Sequence, residues 1–238
     1  MNRFILLVVG CLLLPTLACA DIYIDDFNEG WLAASFFDNG DYSSWKESGL
    51  SGVIGGTRDS YFSYTEKYLV DQGQVVLTDS LIMYTDSIGS SIYTKLLYDA
   101  NGLGLNLDLS KGSDIEVRWK GDHVGFGKPT TMAFTLTDSL TNSYKKSLIW
   151  DTYAVLPSDY LSSSFALNEF ASGGVQLANV KSILFEYDSD CAFDGRIDYL
   201  KVNVPQPPVP EPVSSALFLL GGGVFGLGLL RKKERRNQ

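Results

Sequence analysis

The feature that most constrains the fold is a two-residue alternation of apolar and polar side chains, repeated in short runs through residues 21–206. Residues 114–120 show it best, because Ile115, Val117 and Trp119 are separated by charged side chains. Successive side chains of a strand point to opposite faces, so this pattern is typical of a strand with one buried and one solvated face. Helical periodicity is almost absent from the same span. The sequence therefore predicts an all-β fold.

Turn-forming residues separate these runs and set the number of strands. Gly, Asn, Asp and Ser cluster between them, as in sandwiches and barrels built from many short strands. Residues 162–169 fit either a strand or a short helix, and residues 29–56 are harder to interpret. About ten strands fit two packed layers, so we predict one β-sandwich domain over residues 21–204. The predicted strands are residues 21–27, 61–64, 74–78, 81–85, 92–98, 114–120, 132–137, 144–153, 180–188 and 195–204.

The N-terminal segment, residues 1–20, has the three parts of a secretory signal peptide. Arg3 lies in a short basic start, an apolar run follows, and the segment ends in the small-residue pattern Ala18-Cys19-Ala20. We expect signal peptidase to recognise Ala18 and Ala20 and to cut after Ala20. Two alternatives stay open: a permanent membrane helix, for which the apolar run is short, and a lipoprotein with Cys19 as the lipidated residue.

The C-terminus has three parts in a fixed order. A proline-rich linker covers residues 205–212 and favours an extended conformation. An uncharged segment, residues 213–230, follows; as a helix it is about 27 Å long, enough to cross the hydrocarbon core, so we predict a transmembrane helix. Residues 231–238 carry a basic cluster that should stay cytoplasmic, which places the domain outside the inner membrane.

Charge is distributed unevenly between the predicted domain and the termini. Removing Arg3 and the five basic residues after Pro212 from the total of 19 leaves 13 basic residues in the span 21–212. Removing Glu234 from the total of 28 leaves 27 acidic residues there, a net charge of −14. Nucleic-acid binding needs Lys and Arg to neutralise phosphates, so we predict no nucleic-acid partner.

Motifs of common enzymes are absent from the sequence. There is no G-x-S-x-G elbow, no H-E-x-x-H zinc helix and no phosphate-binding loop. The one histidine, His123, lies in a glycine-containing loop, and its neighbour Asp122 is expected to point away from it because successive strand residues face opposite sides. We therefore predict no enzyme activity. The alternative, a secreted glycan hydrolase, requires two carboxylates converging in a cleft.

Pro210, Glu211 and Pro212, followed by the apolar segment and the basic cluster, resemble the PEP-CTERM sorting signal of exported proteins in Gram-negative bacteria that make exopolysaccharide. The resemblance implies that an exosortase-type membrane peptidase recognises these three residues and cuts near them. It implies an exported protein, held in the inner membrane with its domain in the periplasm, and then transferred to the cell surface or released.

A second resemblance covers the predicted domain. Residues 24–27 (Ile-Asp-Asp-Phe), 107–110 (Leu-Asp-Leu-Ser) and 193–198 (Phe-Asp-Gly-Arg-Ile-Asp) are similar to the galactose-binding-like jelly rolls of carbohydrate-binding modules. The resemblance implies a jelly-roll-like β-sandwich and a structural calcium where the first and last strands meet. Strand parity places Asp26 and Asp198 on inward faces, where a carboxylate needs a metal, a partner or a solvent-facing strand end.

Aromatic residues suggest where a sugar binds. Trp119 is expected in the core, since it continues the apolar face of its strand, whereas Trp31 and Trp45 lie in a loop-rich stretch and are our candidates for sugar-stacking platforms. The sequence thus predicts an exported, non-catalytic β-sandwich that binds polysaccharide, with exopolysaccharide as the expected partner. Besides the hydrolase, a purely structural matrix protein remains an alternative.

Overall fold

The computed structural model describes residues 21–65, 72–85 and 90–205. The predicted signal peptide with Ala18 and Ala20, the motif Pro210–Pro212, the apolar segment and the basic tail lie outside the described residues. In chain order the strands are β1 (Ile22–Asp25), β2 (Leu32–Phe36), β3 (Tyr42–Ser48), β4 (Thr57–Thr65), β5 (Gly73–Leu77), β6 (Leu81–Thr85), β7 (Ser91–Tyr98), β8 (Asp114–Gly121), β9 (His123–Val124), β10 (Thr130–Asp138), β11 (Ser143–Trp150), β12 (Ala154–Val155), β13 (Leu161–Ala166), β14 (Val180–Asp188) and β15 (Gly195–Asn203).

The strands form two antiparallel sheets that make a β-sandwich. The seven-stranded sheet has the order β13-β8-β15-β6-β5-β2, and β1 pairs with β15 beside the β6 contact. The six-stranded sheet has the order β11-β10-β14-β7-β4-β3. The short strands β9 and β12 pair with each other. The predicted jelly-roll-like sandwich is confirmed, and in the described part of the chain no helix has the length and apolar character needed to cross a membrane.

The core lies between the two sheets and is built from the inward face of each strand. Phe134 of the six-stranded sheet has its ring centroid 4.9 Å from that of Phe165 on the seven-stranded sheet and 5.1 Å from that of Phe185. All three are fully buried. Trp119 is buried against Trp150 and Tyr187, so its predicted core position is confirmed. Burial of large aromatic faces is the main favourable contribution to folding here.

Each of the ten predicted strands is present, with ends shifted by a few residues. The ambiguous stretch 162–169 contains both alternatives: β13 continues directly into the α-helix α1 (Leu167–Ser172). The helix buries Leu167 and Phe170 against the core. Strands β2 and β3 were not predicted. The inward positions of β3 are Ser43, Trp45 and Glu47, so this strand has no apolar alternation for a sequence pattern to reveal.

Candidate functional site

The outer face of the six-stranded sheet carries a groove across β3, β4 and β7. Tyr61 on β4 lies opposite Ser44 on β3 and opposite Lys95 on β7, so these three side chains form one row across the sheet. The groove has a volume of about 590 Å³. Its lining residues are Ser44, Trp45, Lys46, Asp59, Ser60, Tyr61, Tyr93, Lys95 and Leu97.

Tyrosine rings line and flank this groove: Tyr61 and Tyr93 belong to its lining, and Tyr42 stacks on Tyr61 beside it. The rings of Tyr42 and Tyr61 are stacked, with centroids 6.1 Å apart and planes inclined by 24°. Tyr42 is 71% exposed and Tyr61 is 36% exposed. Tyr93 lies beside them on β7, and its hydroxyl donates a hydrogen bond to Glu186 Oε1. The rings offer apolar faces to a ligand, while their hydroxyl groups supply polar contacts.

Most charged side chains at the groove take part in ion pairs. Lys46 Nζ lies 3.0 Å from Asp59 Oδ2, and Glu186 Oε2 lies 2.6 Å from Lys145 Nζ. Burial raises the pKa of Glu186, but its bonds to Lys145 and Tyr93 outweigh burial, so the net shift is downward and the carboxylate stays ionised. Lys95 has no carboxylate at salt-bridge distance among the described residues.

The structure places the two predicted platform tryptophans differently. Trp45 points inward from β3 and packs on Phe62, with ring centroids 5.9 Å apart, so it forms the floor of the groove and contacts the core. Trp31 is 74% exposed and precedes the edge strand β2 of the seven-stranded sheet, away from the groove lining. The tyrosines were missed. Part of their signal was present in the sequence, because Tyr61 and Tyr93 occupy outward positions of alternating strands, whereas Tyr42 lies on β3, which has no apolar alternation.

Asp26 and Asp198 line one depression together with Asp79, but neither lies on an inward strand face as predicted. A register shift in β1 turns Asp25 rather than Asp26 into the interior, and a second shift between Ile197 and Tyr199 leaves Asp198 on the outer face. These β-bulges reverse the parity that a regular strand would keep. The parity argument was therefore wrong at both positions.

The depression also contains a competing cation. Arg118 Nη1 lies 3.5 Å from Asp198 Oδ2, and Asp26 Oδ1 accepts a hydrogen bond from the Asn28 amide. In the described part of the chain no group of three or more His, Cys, Asp or Glu side chains has the arrangement of a metal site. Calcium prefers roughly six to eight oxygen ligands, more than these residues offer as placed. The calcium site remains a prediction.

A buried ion pair joins the two sheets where Asp25 enters the core. Arg58 Nη1 donates to Asp25 Oδ2 over 2.7 Å, and Tyr98 Oη donates to the same oxygen over 2.9 Å. The guanidinium also donates twice to Glu47 Oε2 and once to the Glu29 carbonyl oxygen. Sequence patterns gave no sign of this network, since its partners are far apart in the chain.

His123 joins two loops at one end of the sandwich. Its Nδ1 lies 2.9 Å from Asp122 Oδ2, and its Nε2 lies 3.0 Å from the Cys191 carbonyl oxygen and 3.7 Å from Asp190 Oδ2. The prediction that Asp122 points away was wrong, because the chain bends between β8 and β9. Burial lowers the pKa of His123, but the Cys191 bond and the charges of Asp122 and Asp190 outweigh burial and raise it overall.

The acidic groups at the groove and the histidine are engaged by other groups of the protein. Asp59 is the one carboxylate among the described residues that line the groove. Both oxygens of Glu186 are engaged, by Tyr93 and Lys145. Both ring nitrogens of His123 are engaged, Nδ1 by the adjacent Asp122 and Nε2 by the carbonyl oxygen of Cys191 in another loop. Glycoside hydrolysis needs two carboxyl groups that flank one bond, and the groove lining offers no such pair in the described part of the chain.

Comparisons with known proteins give distant likenesses. No protein-family model and no curated protein matches this chain. Among solved structures, the chain is similar to the family 11 carbohydrate-binding module of a cellulosomal cellulase of Clostridium thermocellum, with 16% identity, a TM-score of 0.39, and coverage of 79% of this chain and 96% of the module. It is also similar to a family 30 carbohydrate-binding module from a Clostridium thermocellum cellulase, with 15% identity, a TM-score of 0.38, and coverage of 73% and 98%.

A third likeness is to the enzymatically active domain of tailspike protein 4 of bacteriophage CBA120. Here the identity is 7% and the TM-score is 0.35, with coverage of 76% of this chain and 20% of the phage protein. All three TM-scores are below 0.5, so the choice of ligand has to be argued from the residues of this chain.

Proposed function

We propose that this protein is an exported, non-catalytic β-sandwich that binds polysaccharide in the groove on the outer face of its six-stranded sheet. The observation that carries the proposal is the stacked, exposed pair of Tyr42 and Tyr61 beside Tyr93. A sugar ring has an apolar face of C–H groups and an edge of hydroxyls. The groove offers the matching pair of surfaces, aromatic faces and a row of polar side chains.

The polar row supports a glycan more than an apolar ligand. Ser44, Lys46, Asp59 and Lys95 supply hydrogen-bond donors and acceptors along the groove. The groove is open to solvent and is not an enclosed cavity, so a chain of sugars can lie in it without inserting a free end. A purely structural matrix protein would have no need of an exposed stacked ring pair of this kind.

The absence of a carboxylate pair in the described groove supports a binding role over the alternative hydrolase. Glu186 supports the same choice, because its downward pKa shift opposes a role as the proton-donating acid. We therefore expect no catalytic activity to depend on the groove. Binding is the property that should change.

The test is glycan binding by variants of the tyrosine pair. Tyr42→Ala combined with Tyr61→Ala should weaken binding to the best of a panel of soluble β-glucan, xylan and mannan by at least about tenfold, or about 1.4 kcal/mol. The loss of stacking area is the reason. Isothermal titration calorimetry gives the affinity, and thermal unfolding checks that the variant is folded.

The matched control is Tyr23→Ala, which removes a half-exposed tyrosine from the opposite sheet. This control should change the affinity less than about twofold, since surface substitutions away from a site have little effect. Equal losses in the control and the tyrosine-pair variant, or wild-type protein that binds none of the three glycans, would count against the groove.

We also propose that the protein is exported and sorted as its termini suggest. Support comes from the sequence alone: the signal-peptide pattern of residues 1–20, the motif Pro210–Pro212, and the apolar segment before the basic tail. Signal peptidase and an exosortase-type peptidase would be its processing partners, and the inner membrane and then the cell surface or extracellular space its locations.

Intact-mass measurement of the protein released by the producing cells tests this processing. The expected mass lacks residues 1–20 and everything after about the Pro-Glu-Pro motif, because both peptidases act before release. Full-length protein in the inner membrane fraction, with none released, would contradict the sorting proposal. Glycan binding would be unaffected by either result.

A further inference from the structure

Three basic side chains surround one tyrosine ring on the outer face of the seven-stranded sheet. The ring centroid of Tyr160 lies 4.8 Å from Arg118 Cζ, 5.2 Å from Arg196 Cζ and 5.4 Å from Lys120 Nζ. Lys120 on β8 is directly opposite Arg196 on β15. Like charges opposite each other on neighbouring strands are destabilising, so this cluster needs an explanation.

The cluster is unusual in a domain with this charge. The span 21–212 has 13 basic and 27 acidic residues, yet the cations here are poorly neutralised. Arg118 approaches Asp198 at 3.5 Å, whereas neither Lys120 nor Arg196 has a carboxylate at salt-bridge distance among the described residues. By contrast, Lys201 further along β15 pairs with two carboxylates. The tyrosine ring attracts cations but does not cancel their charge.

Two polar atoms in the same cluster lack partners. Arg196 Nε and the Tyr160 hydroxyl oxygen are buried, and neither has a hydrogen-bond partner within the described part of the chain. A buried donor without an acceptor is unfavourable, and an oxyanion at this point would supply acceptors for both groups. A guanidinium is well suited to this role, because its planar fork matches the two oxygens of a carboxylate.

We propose that Arg118, Lys120 and Arg196, arranged around Tyr160, form a second binding site, which takes the carboxylate or sulfate groups of an acidic polysaccharide. Arg118 and Lys120 lie two residues apart on the same side of β8, roughly 7 Å along the strand, so successive charges of an extended polymer can reach them. A depression of about 320 Å³ adjoins the cluster, and its polar lining consists of Lys120, Arg196, Tyr84 and Ser158 together with the acidic residues Asp122 and Asp194.

A polymer with one charge per sugar fits this surface better than a nucleic acid. Duplex DNA carries one charge per about 1.7 Å, so the domain's net negative charge repels it strongly, and three cations cannot offset that. The site lies on the opposite sheet from the tyrosine groove. It therefore adds a second class of ligand and does not depend on the groove.

Binding to two acidic polymers, polygalacturonate and dextran sulfate, tests the proposal at low ionic strength. Lys120→Gln combined with Arg196→Gln should weaken binding to at least one polymer by about tenfold or more, because charge-assisted bonds and unscreened attraction are lost. The polymer that responds identifies the preferred anion. The matched control, Lys111→Gln with Lys181→Gln, removes the same charge from exposed positions on the same domain and should change affinity by less than about twofold.

Thermal unfolding of each variant checks folding, and the single variant Arg118→Gln, an exposed position, provides a second measurement should the double variant unfold. Equal weakening by the two double variants would show a general charge effect and would overturn the site. So would wild-type protein that binds neither polymer. The tyrosine-pair variant should keep its affinity for the acidic polymer, which separates failure of this site from failure of the groove.

Discussion

At the scale of single residues, the buried guanidinium of Arg58 holds the N-terminal strand to both sheets. It contacts Asp25 on β1, Glu47 on β3 and the carbonyl oxygen of Glu29. Burial raises the pKa of Asp25 and the Arg58 charge opposes that rise, so the carboxylate depends on its partner. An ion pair removed from water in this way adds little net stability when intact, but its loss leaves an uncompensated charge in the core.

Substitution of Arg58 by methionine should therefore destabilise the protein by about 3–5 kcal/mol, because Asp25 would remain buried without its cation. Urea denaturation gives the free energy of unfolding. The control, Lys46→Met, breaks the half-exposed ion pair with Asp59 and should cost less than about 1 kcal/mol. A similarly small decrease in the free energy of unfolding for both variants would mean that the buried network does not hold the two sheets together.

At the scale of elements, the sequence predicted strands where one face is apolar and the other is not. Strand β8 illustrates this, since Ile115, Val117 and Trp119 all face the core as expected. Strand β3 could not be predicted, because its inward side carries Ser43 and Glu47, and Glu47 has a partner only in the folded chain. Bulges in β1 and β15 are set by pairing between distant strands, so no local pattern shows them.

The candidate site was predictable in its type but not in its residues. The sequence predicted aromatic platforms, but it pointed to tryptophans in a loop-rich stretch and not to tyrosines on strands. Once the sheet order is known, Tyr42, Tyr61 and Tyr93 are seen to lie on neighbouring strands, although Tyr42 and Tyr93 are 51 positions apart in the chain. Neighbour relations between strands are the information that periodicity cannot supply.

The loops at the His123 end give a pH-dependent prediction. His123 has a raised pKa in the folded protein, so its contribution to stability is fully present below about pH 6.5 and is lost as pH rises through the higher folded value. We compare the free energy of unfolding of two proteins, one with Cys191→Ser alone and one with Cys191→Ser and His123→Asn. The difference between them should be largest near pH 6 and smallest near pH 8. Both proteins carry the serine, so the free thiol of Cys191 is absent from the comparison.

Urea denaturation at four pH values across that range measures the difference. Asp122 and Asp190 face the ring and remain in both proteins. A difference that is constant with pH, or that grows as pH rises, would show that the imidazolium does not hold the two loops.

At the scale of the whole molecule, the sandwich provides two outer faces with different chemistry. The six-stranded sheet presents stacked tyrosines beside a polar row, and the seven-stranded sheet presents cations around Tyr160. The core between them is closely packed with apolar side chains such as Phe134 and Phe165. A protein built this way could hold two polysaccharide chains at once, in line with the proposed destination at the cell surface.

The most direct test of the central claim compares variants of two aromatic sites. Each variant is titrated with the neutral glycan that the wild-type protein binds best. The tyrosine-pair variant of Tyr42 and Tyr61 should lose at least about tenfold in affinity, while Trp31→Ala should stay within about twofold of wild type. Trp31 is the more exposed ring, so exposure alone would predict the opposite order. Loss of binding in Trp31→Ala with full binding in the tyrosine-pair variant would contradict the account and move the ligand to the edge of the seven-stranded sheet.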